Sequence, residues 1–195
     1  MRNLNNIDYQ KFQGQYTLIY GEVNTQKTYL TAKFIQYLLE SKKVNPQKIS
    51  ILDFAPKLIY FKNLKIGGRI QDYYNESIKC RNLIAEGEII PPRLKARNRS
   101  ELYENLCSNY KITSKILEKF NENPTDILII NDISIYLHLG SKKYVLETIY
   151  GVNTFFGNSY YGTTIKSKFS KLLSINEKKK VDFLIKNIEH SYFTG

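Results

Sequence analysis

The residues with the clearest capacity for chemistry form the run GEVNTQKT, from Gly21 to Thr28. A glycine begins this run, and a lysine followed by a threonine ends it. Backbone N–H groups in such a turn can point at one anion, the ammonium group of Lys27 can reach the β- and γ-phosphates, and the Thr28 hydroxyl can ligate Mg²⁺. The run therefore predicts a site for a nucleoside triphosphate and its magnesium ion.

We expect every residue of this run to contact the nucleotide through its backbone or its side chain. The expected contacts are Gly21, Glu22, Val23, Asn24, Thr25, Gln26, Lys27 and Thr28. The nucleotide is ATP or GTP, since the run does not distinguish the two bases. The alternative interpretation is an ordinary turn between a strand and a helix, with a lysine and a threonine there by chance.

A second candidate residue is Asp132, which follows the apolar run 127–130. A carboxylate at the C-terminal end of a parallel strand lies at the edge where open α/β sheets bind ligands. We therefore expect Asp132 and Thr28 to hold Mg²⁺, and we assign catalytic roles to Lys27 and Asp132. The alternative is that Asp132 caps the helix after the strand, and one side chain could have both roles.

Four other segments carry weaker signals. The run Gly67-Gly68-Arg69 could bring backbone and a guanidinium group to phosphate oxygens. The basic residues that alternate from 93 to 99 are expected to form a solvated loop, with an anion site as the alternative. The tyrosines of 157–162, placed after a strand, could stack on a base or pack at the surface. His138 is expected to be a helix residue rather than a catalytic base.

The spacing of apolar residues predicts the elements that position these side chains. Short apolar runs predict strands at 16–20, 49–54, 127–130, 152–156 and 181–185. Helical spacing predicts helices after residue 28, at 99–122, at 142–148 and at 165–173. Continuous apolar strands separated by helices are typical of a parallel sheet covered on both faces. We therefore predict an α/β fold, a three-layer αβα sandwich with a mainly parallel sheet of about five strands.

The domain organisation follows from length and from the breaks in these patterns. The 195 residues fit a single domain, 1–195. Paired glycines, tyrosines and prolines interrupt any period between 57 and 96, which predicts an irregular insertion, and such insertions are more often functional than idle. The charged run Glu177-Lys178-Lys179-Lys180 is predicted to be a loop before the last strand.

The run from Gly21 to Thr28 resembles the phosphate-binding loop of the P-loop NTPase superfamily, in particular its form G-E-V-G-T-G-K-T. Asn24 and Gln26 stand where this form has glycines. Asparagine is a fair substitute where φ is positive, because it visits the left-handed region more readily than most residues. A side chain at Gln26 could crowd the β-phosphate, which predicts weaker nucleotide binding, a preference for another anion, or a loop that opens when a partner binds.

The segment ILIIND, which ends at Asp132, is similar to the Walker B segment of the same superfamily. The resemblance implies that Asp132 contacts Mg²⁺, usually through water. It also implies that Asp53 contacts Mg²⁺ or a catalytic water and so belongs with the catalytic residues; a turn before Pro56 is the alternative. Because Asn131 is neutral, the Asp-Glu pair that many ATPases use on water is missing, and rapid hydrolysis is not expected.

A weaker resemblance to the ATP-dependent corrinoid adenosyltransferases covers about the first and last thirds of the chain. It rests on chain length, the early phosphate-binding run and the segment 126–140. That family has an Asp-Glu pair where this chain has Asn131-Asp132, and its phosphate-binding loop is rich in glycine. The resemblance implies a transferase that uses ATP as a substrate.

Charge and composition bear on partners and location. The chain has 29 Lys and Arg against 18 Asp and Glu, a net charge of +11, which would attract nucleic acid or an acidic protein partner; a solvated basic surface is the alternative. The first 15 residues are polar, and no apolar run approaches the ~18 residues of a membrane helix. Its two cysteines and two histidines form no zinc spacing. We expect a soluble protein of the cytoplasm with no membrane span.

Three functions fit these observations. The first is a slow NTPase or nucleotide-dependent switch, in which the insertion responds to the γ-phosphate. The second is an ATP-dependent transferase, similar to an adenosyltransferase or a small-molecule kinase. The third is a module that keeps the fold, does not hydrolyse nucleotide, and binds nucleic acid or protein.

Overall fold

A computed structural model describes residues 7–61, 64–84, 86–165 and 169–195 and has a six-stranded sheet at its centre. Neighbouring strands of this sheet run parallel. Its strands are β1 (Tyr16–Gly21), β2 (Ile49–Asp53), β5 (Arg81–Leu83), β6 (Ile127–Asn131), β7 (Thr154–Tyr160) and β8 (His190–Phe193). A separate antiparallel hairpin consists of β3 (Ile59–Phe61) and β4 (Leu64–Ile66).

Six α-helices lie within the described residues. They are α1 (Lys27–Gln36), α2 (Pro92–Lys95), α3 (Arg99–Glu122), α4 (Ile133–Leu137), α5 (Lys142–Tyr150) and α6 (Lys171–Asn187). A π-helical turn, Tyr37–Ser41, continues α1, and short 3₁₀ turns occur at Tyr9–Phe12, Pro46–Lys48, Ile70–Asp72 and Asn75–Lys79. Within the described ranges, no helix combines the length and the apolar character that crossing a membrane requires.

Helices cover both faces of the sheet, and alternate residues of each strand pack against opposite layers. On one face the buried side chains include Ile19, Ile51, Ile129 and Phe156 from the strands and Leu30, Phe34 and Leu38 from α1 and its continuation. On the other face they include Leu18, Leu52, Leu128 and Phe155, which pack with Phe120, Val145, Ile149, Val181 and Leu184 from α3, α5 and α6. Double burial accounts for the continuously apolar strands, and the predicted α/β, αβα fold class is confirmed.

The strand order, β5-β2-β6-β7-β1-β8, opens a crevice at one edge of the sheet. The connection from β1 runs through α1 on one face, whereas the connection from β7 runs through α6 on the other face. Because β1 and β7 are neighbours, their following segments diverge from the carboxyl edge in opposite directions. This is the topological switch point at which open α/β sheets bind ligands, and the run 21–28 lies there.

The C-terminal third differs from the sequence-based prediction. The predicted strand 181–185 and the predicted loop 177–180 are both wrong, since these residues lie in α6 and the last strand is β8. Leu173, Glu177, Val181 and Leu184 repeat at helical spacing and are buried on one side of α6. A short apolar run cannot by itself distinguish a strand from a helix. The predicted helix 165–173 overlaps α6 only at its end, and residues 166–168 lie outside the described residues.

The insertion, residues 57–96, is more regular than predicted. It contains the β3–β4 hairpin, and it supplies β5 to the edge of the sheet, so the sheet has six strands rather than about five. Residues 62, 63 and 85 of the insertion lie outside the described part of the chain, as do residues 1–6 of the predicted domain. The single-domain assignment stays a prediction.

Asn109 fixes the end of the insertion to α3. Its Nδ2 donates to the Ile90 carbonyl oxygen at 2.7 Å, and the Ile90 N–H donates to its Oδ1 at 2.9 Å. The side chain is fully buried, so these two hydrogen bonds satisfy both ends of the amide. They place the next residues of the insertion, 91–94, beside the carboxyl edge of the sheet.

Replacing Asn109 with alanine should therefore loosen the insertion. Both backbone groups of Ile90 lose their partner, and we expect the free energy of unfolding to fall by about 2 to 3 kcal/mol. Urea denaturation followed by circular dichroism measures this change. Ser108→Ala, an exposed position on the same helix, is the control and should stay within about 0.5 kcal/mol of wild type. Equal stability of the two variants would contradict the anchoring role.

Candidate functional site

The turn formed by residues 21–28, called here the 21–28 turn, leads from β1 into α1, as the sequence predicts. Asn24 and Gln26 have φ angles of 61° and 63°, in the left-handed region. At these two positions, the motif that the run resembles has a glycine and this chain does not. A left-handed conformation costs a residue with a side chain about 1 to 2 kcal/mol. The turn thus has a backbone shape that suits glycine, although neither of these residues is glycine.

Lys27 folds its side chain back across the turn. Its ammonium group donates to the Glu22 carbonyl oxygen and to Thr25 Oγ1, the latter at 3.2 Å. Burial lowers the pKa of Lys27 to about 8, although the negative charges of Asp132 and Glu22 oppose this shift. The ammonium group therefore sits inside the curve of the turn with uncharged partners, and an anion in the turn would be a stronger partner for it.

Thr28 is bound to the sheet through Asn131, the last residue of β6. The Thr28 hydroxyl donates to Asn131 Oδ1 at 3.2 Å, and Asn158 Nδ2 donates to the same oxygen at 2.7 Å. Asn131 Nδ2 donates to Asp53 Oδ1 at 2.7 Å. The sequence pattern predicts no contact for Asn131 and does not distinguish Asn158. One signal in the sequence could have indicated the contact between Asp53 and Asn131: each of the apolar strands β2 and β6 ends in a polar residue. These two residues are paired in the sheet.

Asp53 joins β2 to the insertion. Its Oδ2 accepts from the Ile70 N–H at 2.8 Å, and its Oδ1 also accepts from the Ala55 N–H at 3.2 Å. Burial raises the pKa of Asp53 to about 6, and the hydrogen bonds from Ile70 and Asn131 oppose that shift. These contacts use both carboxylate oxygens. They give Asp53 a positioning role, and its catalytic role stays a prediction.

Asp132 is partly exposed at the carboxyl edge and has a left-handed φ of 57°. Ser134 Oγ donates to its Oδ1 at 2.6 Å, and the Asp132 N–H donates to Asn158 Oδ1 at 3.1 Å. Burial of the carboxyl group raises its pKa above the ordinary value, and the Ser134 hydrogen bond and the charge of Lys27 oppose this. Asp132 precedes α4, but its side chain makes no capping hydrogen bond.

A cleft of about 510 Å³ lies over the 21–28 turn. Residues 23–28 of the turn, together with Asp132 and Asn158, form its floor. Its walls include residues 55–56, directly before the insertion, and residues 65–67 and 91–94 of the insertion itself. Its volume is typical of a pocket for a small molecule or cofactor.

The first two residues of the turn pack against the chain's C-terminal residues instead of lining this cleft. The Glu22 N–H donates to the Gly195 carbonyl oxygen at 3.0 Å. The Glu22 carboxylate accepts from the backbone N–H groups of Thr163 and Thr164, and a Cβ on Gly162 would meet the Glu22 carboxylate carbon at 2.1 Å. Glu22 therefore connects the turn to the segment after β7.

The weaker candidates have separate outcomes. Arg93 is buried in the cleft wall, so the predicted solvated loop is wrong for this residue, whereas the other basic residues up to 99 are exposed. Gly67 lines the cleft, and the Gly68 carbonyl oxygen accepts from Asn131 Nδ2 at 3.2 Å. His138 is the C-cap residue directly after α4, where it is buried.

Residues 157–160 lie within β7 rather than after a strand as predicted, whereas Tyr161 does follow the strand. Tyr160 is the last residue of that strand and lines the cleft. Tyr161 instead packs against Tyr20, with ring centroids 5.3 Å apart, and its hydroxyl donates to Asp182 at 2.8 Å. Of the two rings, only that of Tyr160 is placed to contact a ligand in the cleft.

A magnesium ion fits the oxygen atoms near Thr28. Among the described residues there is no group of three or more His, Cys, Asp or Glu that could hold a metal by itself. Mg²⁺ bound with a nucleotide usually takes one or two protein oxygens, with phosphates and water completing the shell. The Thr28 hydroxyl and Asp132 both line the cleft, so these two residues could supply oxygens to such an ion.

Comparisons with known proteins identify no family. A scan against models of protein families gives no match for the chain, and a search of curated proteins gives none either. The geometry of the cleft is therefore the basis for any functional assignment.

Asp53 should make the stability of the protein depend on pH in a characteristic direction. Its folded-state pKa of about 6 lies above the ordinary value, so the folded state binds the proton more tightly than the unfolded state. The resulting stabilisation is fully present below about pH 4 and is lost as pH rises through about 6. The stability advantage of wild type over Asp53→Asn should therefore shrink between pH 4 and pH 6.

Urea denaturation of both proteins across this pH range measures the difference. Asp126→Asn, at an exposed position before the amino end of β6, is the matched control and should not show this decline. An advantage that is flat or grows from pH 4 to pH 6 would contradict the assignment.

Proposed function

We propose that the cleft binds a nucleoside triphosphate, ATP or GTP, with Mg²⁺, and that the protein is a slow NTPase or a nucleotide-dependent switch. The observation that carries the proposal is the left-handed backbone at Asn24 and Gln26 together with the position of Lys27. The turn has the curvature of an anion cradle, and the Lys27 ammonium group already lies across it. A chance Lys-Thr pair in an ordinary turn would not require two strained residues beside it.

Nucleotide binding would require the Lys27 ammonium group to exchange its hydrogen-bond partners. Its ammonium group would leave the Glu22 carbonyl oxygen and the Thr25 hydroxyl for phosphate oxygens, which form stronger, charge-assisted hydrogen bonds. Burial has lowered its pKa to about 8, and a bound phosphate would raise it again by favouring the charged form. The N-terminus of α1 adds a favourable dipole at the same place.

Slow turnover is expected from the carboxylates near the turn. Among the described residues that line the cleft, Asp132 is the one carboxylate, and its Oδ1 already accepts a short hydrogen bond from Ser134. Asn131, at the end of the strand, can accept hydrogen bonds but cannot take a proton from water. Bound Mg²⁺ would neutralise phosphate charge, and Thr28 would orient it. Phosphate release during incubation with ATP or GTP distinguishes a slow hydrolase from a switch that only binds.

An ATP-dependent transferase is the second candidate, and the cleft itself favours it. Its walls continue beyond the turn to apolar side chains that include Ile66, Ile135 and Ile165, and polyphosphate does not need such surfaces. A second, partly apolar substrate could occupy that part of the cleft. A nucleic-acid or acidic-protein partner rests on the net charge of +11 alone.

Lys27→Ala tests nucleotide binding directly. In wild type, ATP or GTP with Mg²⁺ at about 100 times the Kd should raise the melting temperature by roughly 5 to 10 °C. Lys27→Ala should show almost no shift, because the cradle loses its cation. Lys33→Ala, which removes a lysine of the same helix outside the cleft, should shift like wild type. The proposal fails if neither nucleotide shifts wild type, or if both variants shift equally.

Gln26→Gly tests whether the side chain in the turn limits affinity. Glycine adopts the φ of 63° at residue 26 without strain and leaves the cradle open. We expect the Kd for nucleotide to fall by about fivefold, which corresponds to about 1 kcal/mol. Gln26→Ala removes the polar group but keeps the strain, so it separates the two effects. Unchanged or weaker binding in Gln26→Gly would mean that Gln26 takes part in recognition.

A further inference from the structure

A buried group of three ionisable side chains lies behind one wall of the cleft. Arg93 Nη2 donates to Glu177 Oε2, and the two side chains are only 6% and 4% exposed. His138 Nε2 lies 3.6 Å from Glu177 Oε1 and is 1% exposed. The group joins α2 of the insertion to α4 and α6. The proposed roles of Lys27, Thr28 and Asp132 do not use it.

This group is poorly explained as a device for stability. A buried ion pair recovers its desolvation cost only when the surrounding hydrogen bonds are complete, and apolar side chains of similar size often serve as well or better. Among the described residues, Arg93 Nε, Glu177 Oε1 and both ring nitrogens of His138 have no hydrogen-bond partner at normal distance. Buried polar groups without a protein partner call for an explanation, and a ligand in the adjacent cleft is one.

Arg93 is also part of the cleft. Its guanidinium carbon lies 5.7 Å from the centre of the Tyr160 ring, and both residues line the cleft. Tyr160 pairs in the sheet with Gly21, where the 21–28 turn begins. Among the described residues, Arg93 is the one arginine that lines the cleft, and it reaches the cleft from the insertion rather than from the turn.

We propose that Arg93 is a second oxyanion-binding residue of the cleft, and that Glu177 holds its guanidinium group in place until an anion binds. A guanidinium group presents its donors in a plane that matches two oxygens of a phosphate or carboxylate. The pair with Glu177 engages Nη2, while Nε has no hydrogen-bond partner in the part of the chain that the structure describes. The oxyanion is either the terminal phosphate of the nucleotide or a phosphate or carboxylate on a second substrate. The inference rests on the proposed function in taking the cleft as the ligand site.

Glu177 competes with the incoming anion for Arg93. Replacing it with glutamine keeps the shape of the side chain and removes its charge, so Glu177→Gln should bind the anion about three- to tenfold more tightly. The double variant Arg93→Gln, Glu177→Gln removes both charges without leaving one buried alone, and it should lose that anion contact. A purely structural role for the pair predicts no change of affinity in either folded variant.

Isothermal titration with ATP, ADP and inorganic phosphate, in the presence of Mg²⁺, identifies the source of the oxyanion. If Arg93 contacts the terminal phosphate, the double variant should bind ATP at least tenfold more weakly than wild type and ADP equally well. If it contacts a second substrate, ATP affinity should be unchanged, and the binding of inorganic phosphate to the ADP-saturated protein should be lost. Arg93→Lys, which keeps the charge but not the planar fork, should show a partial loss in the same titration.

Asp182→Asn is the matched control, since it removes a carboxylate from the same helix outside the cleft. Circular dichroism confirms that each variant is folded. If folded Glu177→Gln and the double variant bind all three probes as wild type does, or if wild type binds none of them, the inference is overturned. If wild type binds phosphate through Arg93 but neither nucleotide, the proposed function fails while the inference stands.

Discussion

The hydrogen bonds of Asn131 hold together the segments that form the floor of the cleft. Its Oδ1 accepts from Thr28 in α1 and from Asn158 in β7, and its Nδ2 donates to Asp53 at the end of β2. An amide can make all three contacts because it has both donors and an acceptor, whereas an ionised carboxylate only accepts. An aspartate at position 131 would face Asp53 as a like charge. The charge of Asp53 therefore favours a neutral residue at position 131.

Local patterns predicted the parts of the site that depend on neighbours in sequence. The apolar run before Gly21 and the helical spacing after it predicted the strand, the turn and α1. Helical spacing at 99–122 predicted α3, whose first turn is capped by Asn98, since the Glu101 N–H donates to Asn98 Oδ1 at 2.9 Å. The hydrogen bond between Asn158 and Asn131 was not predictable, because it depends on β7 lying beside β6, and strand order is a property of the whole fold.

The insertion lines the cleft because hydrogen bonds from the rest of the protein hold it at two places. Asp53 binds the Ile70 N–H, and Asn109 binds both backbone groups of Ile90. The hydrogen bond between Asp53 and Ile70 belongs to a series that continues through Asn131 to Thr28. A ligand that draws the Thr28 hydroxyl away would therefore weaken a series of hydrogen bonds that reaches the insertion. Arg93 lies just after the second of these places. The sequence pattern predicted a solvated loop at Arg93 for two reasons. Its partner Glu177 is distant in the sequence, and Glu177 lies in a helix that the pattern did not predict.

The left-handed residues of the 21–28 turn have a consequence for the entropy of ligand binding. A loop rich in glycine samples many conformations and must give most of them up when an anion orders it. Asn24 and Gln26 reach fewer conformations than glycine does, so a turn that already has the curved shape has less freedom to lose. The chain carries steric strain at these residues, and in return the turn gives up fewer conformations when it binds an anion.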